Sequence, residues 1–246
     1  MGQTFFLRVS SQAQHMSDSG SIWYLEEVDL FEWFCPVTKA ADRYEKMPKR
    51  HFKKGEFIYF SDDTADKVFF IHQGAVKIAG YAPSGEEMIK AILHPGEIFG
   101  ELAVFGEEKR QDFAQAIEDT EVCIQTREMV VSLMRDVNSF GRFLNTLVGR
   151  RVIYTQKRME SLLFKDARTR VIEYVLEQAE KNGKTLLDGA ISLRNYLTHQ
   201  EIANYTGTSR QTVTTVLNGL REGRVIDFDR KKIIIRQPEA LRAQAS

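Results

Sequence analysis

Cysteine and histidine are scarce in this chain, and the scarcity excludes several classes of protein. The 246 residues include 2 cysteines and 5 histidines, so there is no disulfide framework and a reducing compartment fits. The histidines stand far apart, so the close His-x-His pair of a cupin-type metal enzyme is missing. Gly-x-Ser-x-Gly, Walker and Rossmann patterns are absent too. We therefore expect a protein that is not an enzyme.

Long apolar runs are also missing. No stretch approaches the roughly 20 apolar residues of a membrane span, and the start MGQTFFLRVSSQ has too short an apolar core for a secretory signal. We expect a cytoplasmic protein with no membrane partner. Residues 1–20 are expected to form a mobile tail, in which Met16 offers an alternative start.

Charge is distributed unevenly along a chain whose formal net charge is zero. Residues 1–136 hold 15 Lys and Arg against 23 Asp and Glu, residues 137–165 hold 6 against 1, and residues 166–246 hold 13 against 10. An acidic first part therefore precedes a modestly basic second part, and only the second part suits a polyanion.

Turn signals follow one another at short intervals between about residues 50 and 130. Examples are Gln73-Gly74, Pro83-Ser84-Gly85 and Pro95-Gly96, and β-rich runs such as EFIYF and EMIKAIL lie between the turns. Many short strands at spacings of roughly 8–12 residues are typical of a β-sandwich or β-roll. We predict a β-roll over residues 21–127.

Residues 128–165 contain no proline and few breakers, which predicts one long helix. Apolar positions recur at intervals of three and four, close to a coiled-coil seam with one polar member. The seam consists of Leu144, Val148, Val152, Thr155, Met159 and Leu162. We interpret it as a two-helix dimer seam. The alternative is an amphipathic helix packed on its own domain.

The most informative stretch is residues 197–236. Thr198, with Glu201 three positions later, fits a capping box that starts a short helix. Gly207 suits the tight turn to a second helix. That helix carries one apolar stripe at helical spacing: Val213, Val216, Leu217 and Leu220. The pattern predicts a helix-turn-helix.

The face opposite this stripe carries short hydrogen-bonding side chains and one arginine. Arginine and glutamine pair with guanine and adenine edges in the major groove, and the second helix of such motifs places its first residues against bases. We therefore predict a recognition helix over about residues 209–221, followed by a β-hairpin wing with a basic tip near phosphates. The predicted DNA contacts are Thr198, Thr208, Ser209, Arg210, Gln211, Thr214, Thr215, Asn218 and Lys231.

The chain from about residue 25 to 240 resembles the CRP/FNR superfamily of bacterial transcription regulators. The resemblance is carried by FKKGEFIYFSDDTADKVFFIHQGAVKI, PGEIFGELAVF, LTHQEIANYTGTSRQTV and the closing hairpin. It implies an α+β fold: an N-terminal cyclic-nucleotide-binding-like β-roll (jelly roll), a long dimerisation helix over residues 128–165 and a C-terminal winged helix-turn-helix over residues 166–246. It also implies a homodimer on two-fold symmetric double-stranded promoter DNA, RNA polymerase as a partner and a small-molecule effector in the roll.

Two positions of the recognition helix depart from the family's best-known member. That protein has glutamate and arginine where this chain has Gln211 and Thr215. Glutamine favours adenine where glutamate favours cytosine. We therefore expect a different operator.

The stretch FGELAVFGEEKRQDFAQA, residues 99–116, is the candidate effector site. In cyclic-nucleotide-binding members, backbone amides after the glycine face the phosphate, the acidic residue binds the ribose, and the arginine pairs with the phosphate. Gln111 and Asp112 stand where the family usually has small side chains. A carboxylate near a phosphate costs about 1–4 kcal/mol. The candidate effector residues are Gly100, Glu101, Leu102, Arg110, Gln111 and Thr155.

Three readings of this site remain open: a cyclic nucleotide, another small effector, or a structural remnant with no certain cofactor. His72 and His94 are available as haem ligands, although ordinary strand-end or turn histidines are the simpler interpretation. Two cysteines cannot ligate a four-iron cluster within one subunit.

The alternative function is a nucleotide-sensing regulatory protein that acts through protein partners. It would need neither the polar recognition face nor the basic wing, so the sequence favours DNA binding.

Overall fold

The computed structural model describes residues 48–229 and 231–245. The predicted tail at residues 1–20, the alternative start at Met16 and the first part of the predicted roll lie outside the described residues. Among the residues described, no helix has the length and apolar character to cross a membrane.

Two four-stranded antiparallel sheets form the first domain. Their strands are β1 (Lys49–Phe52), β2 (Phe57–Tyr59), β3 (Lys67–Gln73), β4 (Val76–Tyr81), β5 (Glu87–Leu93), β6 (Ile98–Phe99), β7 (Phe113–Ala116) and β8 (Thr120–Thr126). The order is β1-β8-β3-β6 in one sheet and β2-β7-β4-β5 in the other. Gly74 turns β3 into β4 with a φ of 94°, and a Cβ there would collide with Thr120. The N-terminal β-roll of the predicted α+β fold is confirmed.

The segment predicted as one helix, residues 128–165, is divided in two. Helix α1 spans Arg127–Asp136 and helix α2 spans Asn138–Phe164. Val137 between them is extended, with φ −128° and ψ 94°. No proline or glycine stands at the break, so apolar periodicity alone predicts a continuous helix there.

Helix α2 is buried at its start and exposed at its end. Phe140 lies in the core of the roll, whereas Leu163 and Phe164 are 69% and 83% exposed. The predicted seam divides in the same way. Leu144 is buried in its own domain and Val148 is half-buried. The exposed seam positions are Val152, Thr155, Met159 and Leu162.

The second domain is a winged helix-turn-helix, as predicted. Its elements are α3 (Ala167–Asn182), β9 (Lys184–Thr185), β10 (Ile191–Arg194), α4 (His199–Thr206), α5 (Arg210–Glu222), β11 (Ile226–Phe228), β12 (Lys232–Ile235) and α6 (Pro238–Ala243). The strands form one antiparallel sheet in the order β9-β10-β12-β11. Gly207 joins α4 to α5 with a φ of 62°, the left-handed conformation that glycine adopts readily after a helix.

The two domains share a continuous apolar contact. Ile89 and Phe113 of the roll lie in one buried cluster with Ile202 of the helix-turn-helix. Arg158 of α2 bridges the contact, because its guanidinium donates to carbonyl oxygens of β5, most closely that of Lys90 at 2.7 Å, and to the carbonyl oxygen of Tyr205 in α4. The same guanidinium lies 4.2 Å from the centre of the Tyr205 ring. Strand β5 and helix α4 are therefore tied to one side chain of α2.

Candidate DNA interface and effector cavity

The recognition helix α5 is anchored by its apolar stripe. Ser209 caps the helix, because its Oγ accepts a hydrogen bond from the Thr212 amide at 3.0 Å. The predicted stripe is buried along its whole length: Val213, Val216, Leu217 and Leu220. The opposite face of the helix is therefore turned toward solvent.

Three predicted contacts on that face are unengaged. The side chains of Arg210, Gln211 and Thr215 are exposed. Within residues 48–229 and 231–245, none of the three makes a side-chain hydrogen bond or an ion pair. Their donors and acceptors are therefore free to meet base edges in a major groove.

Two further predicted contacts, Thr214 and Asn218, are held by neighbours. The Thr214 hydroxyl donates to the carbonyl oxygen of Arg210 at 2.9 Å. The Asn218 Oδ1 accepts a hydrogen bond from Nη2 of Arg221 at 2.9 Å. These two side chains are half-buried, so they stabilise the helix in addition to any contact with DNA.

His199 connects the three parts of the motif, although no sequence pattern singles it out. His199 is the first residue of α4. Its Nδ1 lies 2.9 Å from the Thr214 hydroxyl of α5, and its ring centre lies 5.8 Å from the centre of the Phe228 ring in the wing. Since Thr214 donates to a carbonyl, the Nδ1–H of His199 is the donor in their bond. Burial and the Arg210 guanidinium lower the pKa of His199, which favours this uncharged ring.

The remaining predicted DNA contacts lie at caps and in the wing. Thr198 forms the predicted capping box: its Oγ1 accepts from the Glu201 amide at 3.2 Å, and its own amide donates to the Glu201 carboxylate at 2.9 Å. Thr208 is half-buried in the turn before α5. Lys231 is exposed at the wing, and its neighbour Arg230 lies outside the described residues.

A cavity of about 390 Å³ lies between the roll and helix α2. This volume is in the range of small-molecule sites. Four of the candidate effector residues line it: Gly100, Glu101, Leu102 and Thr155. Two charged residues that the sequence analysis did not name also line the cavity: Lys90 of strand β5 and Arg151 of helix α2.

Gly100 sets the shape of the cavity floor. It has a φ of 72° and precedes a short 3₁₀ helix, Glu101–Phe105. A Cβ at this position would lie 3.1 Å from the carbonyl oxygen of Lys67, so the left-handed conformation favours glycine and the space around it is tight. Glu101 is 2% exposed and pairs with Arg151 of α2.

Arg110 lies behind the cavity wall and not among the lining residues. It is 2% exposed. Its guanidinium donates to the carbonyl oxygens of Gly100, at 3.0 Å, and Lys67, and pairs with Glu107 at 3.2 Å. It also lies 4.6 Å from the centre of the Tyr59 ring. These contacts hold the guanidinium inside the roll.

The two residues after Arg110 point to opposite sides, as neighbours near a strand do. Gln111 is exposed outside the cavity predicted for it, and its Nε2 donates to the carbonyl oxygen of Lys109 at 3.2 Å. Asp112 lines the cavity, where it accepts from the Tyr59 hydroxyl at 3.2 Å and pairs with Lys90 at 3.1 Å. Burial and the Asp112 carboxylate raise the pKa of Tyr59, so its hydroxyl stays a donor.

A cyclic nucleotide is the ligand that the resemblance implies, and the side chains as placed do not fit its phosphate. The lining cations Lys90 and Arg151 are each paired with a carboxylate, and Arg110 is engaged behind the wall. Among the described residues, the cavity offers no unpaired cation. A phosphate would instead meet the carboxylates of Glu107 and Asp112, which line the same space.

The two histidines considered as haem ligands are engaged with other side chains. Nε2 of His94 lies 2.9 Å from the Asn182 amide, and burial, followed by Lys181, lowers the pKa of His94 to about 4. Nε2 of His72 lies 3.6 Å from the Glu121 carboxylate. In the part of the chain that the structure describes, no group of three or more His, Cys, Asp or Glu is placed to hold a metal ion.

A ligand-sized cavity joined to a winged helix-turn-helix defines a DNA-binding transcription regulator with an effector-binding domain. Two family models match the corresponding parts of the sequence. The model of the cyclic nucleotide-binding domain matches residues 49–136, and the model of the Crp-like helix-turn-helix domain matches residues 169–244.

Relatives extend these matches along most of the chain. It is 30% identical over 195 residues to the global nitrogen regulator of Nostoc sp., covering 78% of this chain and 87% of that one. It is 29% identical over 221 residues to the CRP-like cAMP-activated global transcriptional regulator of Mycobacterium tuberculosis, covering 90% and 98%. The structure of FixK2 from Bradyrhizobium japonicum has the same fold, with a TM-score of 0.73 at 22% identity over 81% of this chain and 98% of that one. The chain belongs to the CRP/FNR family of transcription regulators.

Proposed function

We propose that the protein binds a promoter site as a homodimer and reads it through α5. Arg210, Gln211 and Thr215 contact base edges, and Lys231 lies near a phosphate. The observation that carries the proposal is the contrast across α5: an apolar stripe is buried, while three polar side chains opposite it, Arg210, Gln211 and Thr215, are exposed and make no side-chain bond among the described residues. Promoter DNA as the target implies a bacterial cytoplasm.

The exposed end of α2 supports the homodimer. Val152 and Ile153 are 53% and 54% exposed, and Leu163 and Phe164 are more exposed still. A contiguous apolar surface of this kind marks an interaction site, and its helical spacing suits a second copy of the same helix. Two copies related by a two-fold axis place two recognition helices about one DNA turn, or roughly 34 Å, apart.

Other parts of the proposal rest on the family resemblance. RNA polymerase is the partner that a promoter-bound regulator of this family contacts. A small effector in the cavity would bias the contact between the roll and the helix-turn-helix, since Arg158 joins strand β5 to α4.

Selection from random double-stranded DNA tests the reading of bases. We expect a two-fold symmetric site with half-sites about 10 base pairs apart and binding that weakens steeply with salt. Gln211→Glu should move the preference at one position of each half-site from adenine toward cytosine. Selection that enriches no sequence would contradict the proposal and would favour a regulator that acts through protein partners.

The oligomeric state is tested by light scattering on the full chain. Leu163→Glu places a charge on the exposed apolar end of α2 and should shift the protein from dimer to monomer. Lys184→Glu changes an exposed residue of β9 and serves as the control. A wild-type monomer at micromolar concentration would contradict the homodimer.

A further inference from the structure

Three ion pairs surround the cavity between the roll and α2. They are Lys90–Asp112, Arg151–Glu101 and, behind the wall, Arg110–Glu107. Each cation already faces a carboxylate, so the three pairs together are neutral. An anionic ligand would have to compete with a carboxylate at each cation. Opening the buried Arg110 and Arg151 pairs is strongly unfavourable, whereas Lys90 is 37% exposed and would still present Asp112 to the anion.

The hydroxyl groups of the cavity are engaged as well. Tyr59 and Tyr154 each donate to a carboxylate, at 3.2 Å and 2.7 Å, and Thr155 donates to a carbonyl oxygen of its own helix at 2.8 Å. Gln156 is exposed at the opening and, within the described residues, makes no side-chain hydrogen bond. The cavity therefore offers one free amide at its mouth.

The rest of the wall is apolar. Strands β4, β5 and β6, the 3₁₀ helix and helix α2 supply these side chains: Ile78, Ala91, Leu93, Phe99, Leu102, Val148 and Val152. A ligand gains affinity here by moving apolar surface out of water. Charged groups on a ligand gain less, because every charged side chain at the wall already faces one of opposite sign.

We propose that the cavity binds an uncharged, largely apolar small molecule that directs a polar group to Gln156. It does not take a phosphate-bearing nucleotide. This inference rests on the proposed function, in which a small effector in the cavity acts on DNA binding.

A matched pair of fluorescent probes tests the ligand class on the full-length dimer. Phenylnaphthylamine is uncharged, and anilinonaphthalene sulfonate has the same rings with one added anion. We expect the uncharged probe to bind once per protomer and the sulfonate to bind at least about tenfold more weakly, because its charge loses water without gaining a partner. Cyclic AMP should not displace the uncharged probe.

Two variants connect the binding to this cavity. Ala91→Phe fills the space and should weaken the uncharged probe at least about tenfold, because core packing leaves little room for a larger side chain. Asp112→Asn removes the carboxylate that pairs with Lys90, so the sulfonate should bind about tenfold more tightly, a gain that defective folding would not produce. Lys109→Ala, at an exposed residue whose backbone forms an isolated β-bridge with Thr64, should change neither probe.

The outcomes separate the ligand class from the proposed function. Tighter binding of the sulfonate or of cyclic AMP than of the uncharged probe by wild type overturns the inference, and so does uncharged-probe binding that Ala91→Phe leaves unchanged. DNA binding measured on the same preparations tests the proposed function separately. If the protein binds DNA sequence-specifically but prefers the sulfonate or cyclic AMP to the uncharged probe, the inferred ligand class is wrong and the proposed function stands.

Discussion

Arg110 of the roll and Arg210 of the recognition helix are the same residue type in opposite situations. The Arg110 guanidinium is buried and bonded to two carbonyl oxygens and to Glu107. The Arg210 side chain is exposed, and among the described residues its guanidinium makes no hydrogen bond or ion pair. The first arginine holds strands of the roll together, whereas the second is available to a ligand. The donors of a charged side chain are most available to a partner molecule where the fold leaves them without an internal acceptor.

The largest effect is expected from Arg110→Ala. The change leaves two carbonyl oxygens, the buried one of Gly100 and the partly buried one of Lys67, and the Glu107 carboxylate without their donor. Breaking a buried pair costs about 3–5 kcal/mol. Denaturant unfolding should show this loss in the free energy of unfolding. Lys109→Ala, next to it and exposed, is the matched control. A variant as stable as wild type would mean that Arg110 is free, and the contrast with Arg210 would disappear.

The next effect concerns a histidine that the roll keeps uncharged. Burial and Lys181 hold the pKa of His94 at about 4 in the folded protein, below its usual value near 6.5. The stability from the neutral ring is present above about pH 6.5 and is lost as pH falls toward 4, by about 3 kcal/mol in total.

Comparison with His94→Gln isolates this loss, since glutamine can still accept from Asn182. The comparison is needed because Glu97 changes stability over the same pH range in the opposite direction. Burial raises the pKa of Glu97 to about 7, and the stability from its protonated form is lost as pH rises from about 4.5 to 7. Unfolding at several pH values should show the advantage of wild type over His94→Gln shrinking as pH falls from 7 to 4. A constant difference would show that His94 is not buried uncharged.

Arg210→Ala should weaken DNA binding and leave the fold intact. Loss of an arginine against a guanine edge costs about 1–3 kcal/mol and relaxes preference at one base position. Titration of the selected operator measures the loss, and an unchanged melting temperature separates it from unfolding. Equal weakening on every DNA sequence would place Arg210 at a phosphate instead of a base.

The smallest effect is expected from Thr198→Ala, which separates a cap from a DNA contact. Loss of an N-cap hydroxyl costs about 1 kcal/mol of stability, whereas Thr198→Ser keeps the capping oxygen. Unfolding measurements should therefore rank serine close to threonine and above alanine. Equal stability of the three proteins, with weaker DNA binding for alanine, would assign Thr198 to the DNA.

The fold class followed from local patterns, but two details did not. Val137 interrupts the predicted helix without proline or glycine. The chain passes close to itself just after the break, since a Cβ at Gly141 would lie 3.0 Å from the carbonyl oxygen of Met134. Leu144, predicted for the dimer seam, is instead buried in the roll. Contacts of this kind depend on what the helix packs against, which periodicity does not contain.

The candidate sites likewise contain features that local sequence patterns predict and features that depend on tertiary packing. The outward face of α5 is predictable because it is the complement of one buried stripe on one helix. Lys90 and Arg151 were not recognised as cavity residues, because both lie outside the stretch of residues 99–116 and only the packing of strand β5 and helix α2 brings them to the cavity. The DNA contacts at Thr198, Ser209 and Thr214 remain predictions, and the structure gives each of them a local bond as well.

The sequence by itself determined the helix-turn-helix, because its cap, turn glycine and apolar stripe act over a few residues within one short segment. It also determined that strands would form a roll, since turns and alternating runs are local too. Only the tertiary structure decided which groups pair with Arg110 and Asp112. The carbonyl oxygen of Lys67 that accepts from Arg110 lies 43 residues away along the chain, and Lys90, which neutralises Asp112, lies 22 residues away. Whether a charge meets such a partner depends on which strands lie side by side, and that is settled only when the sheets form.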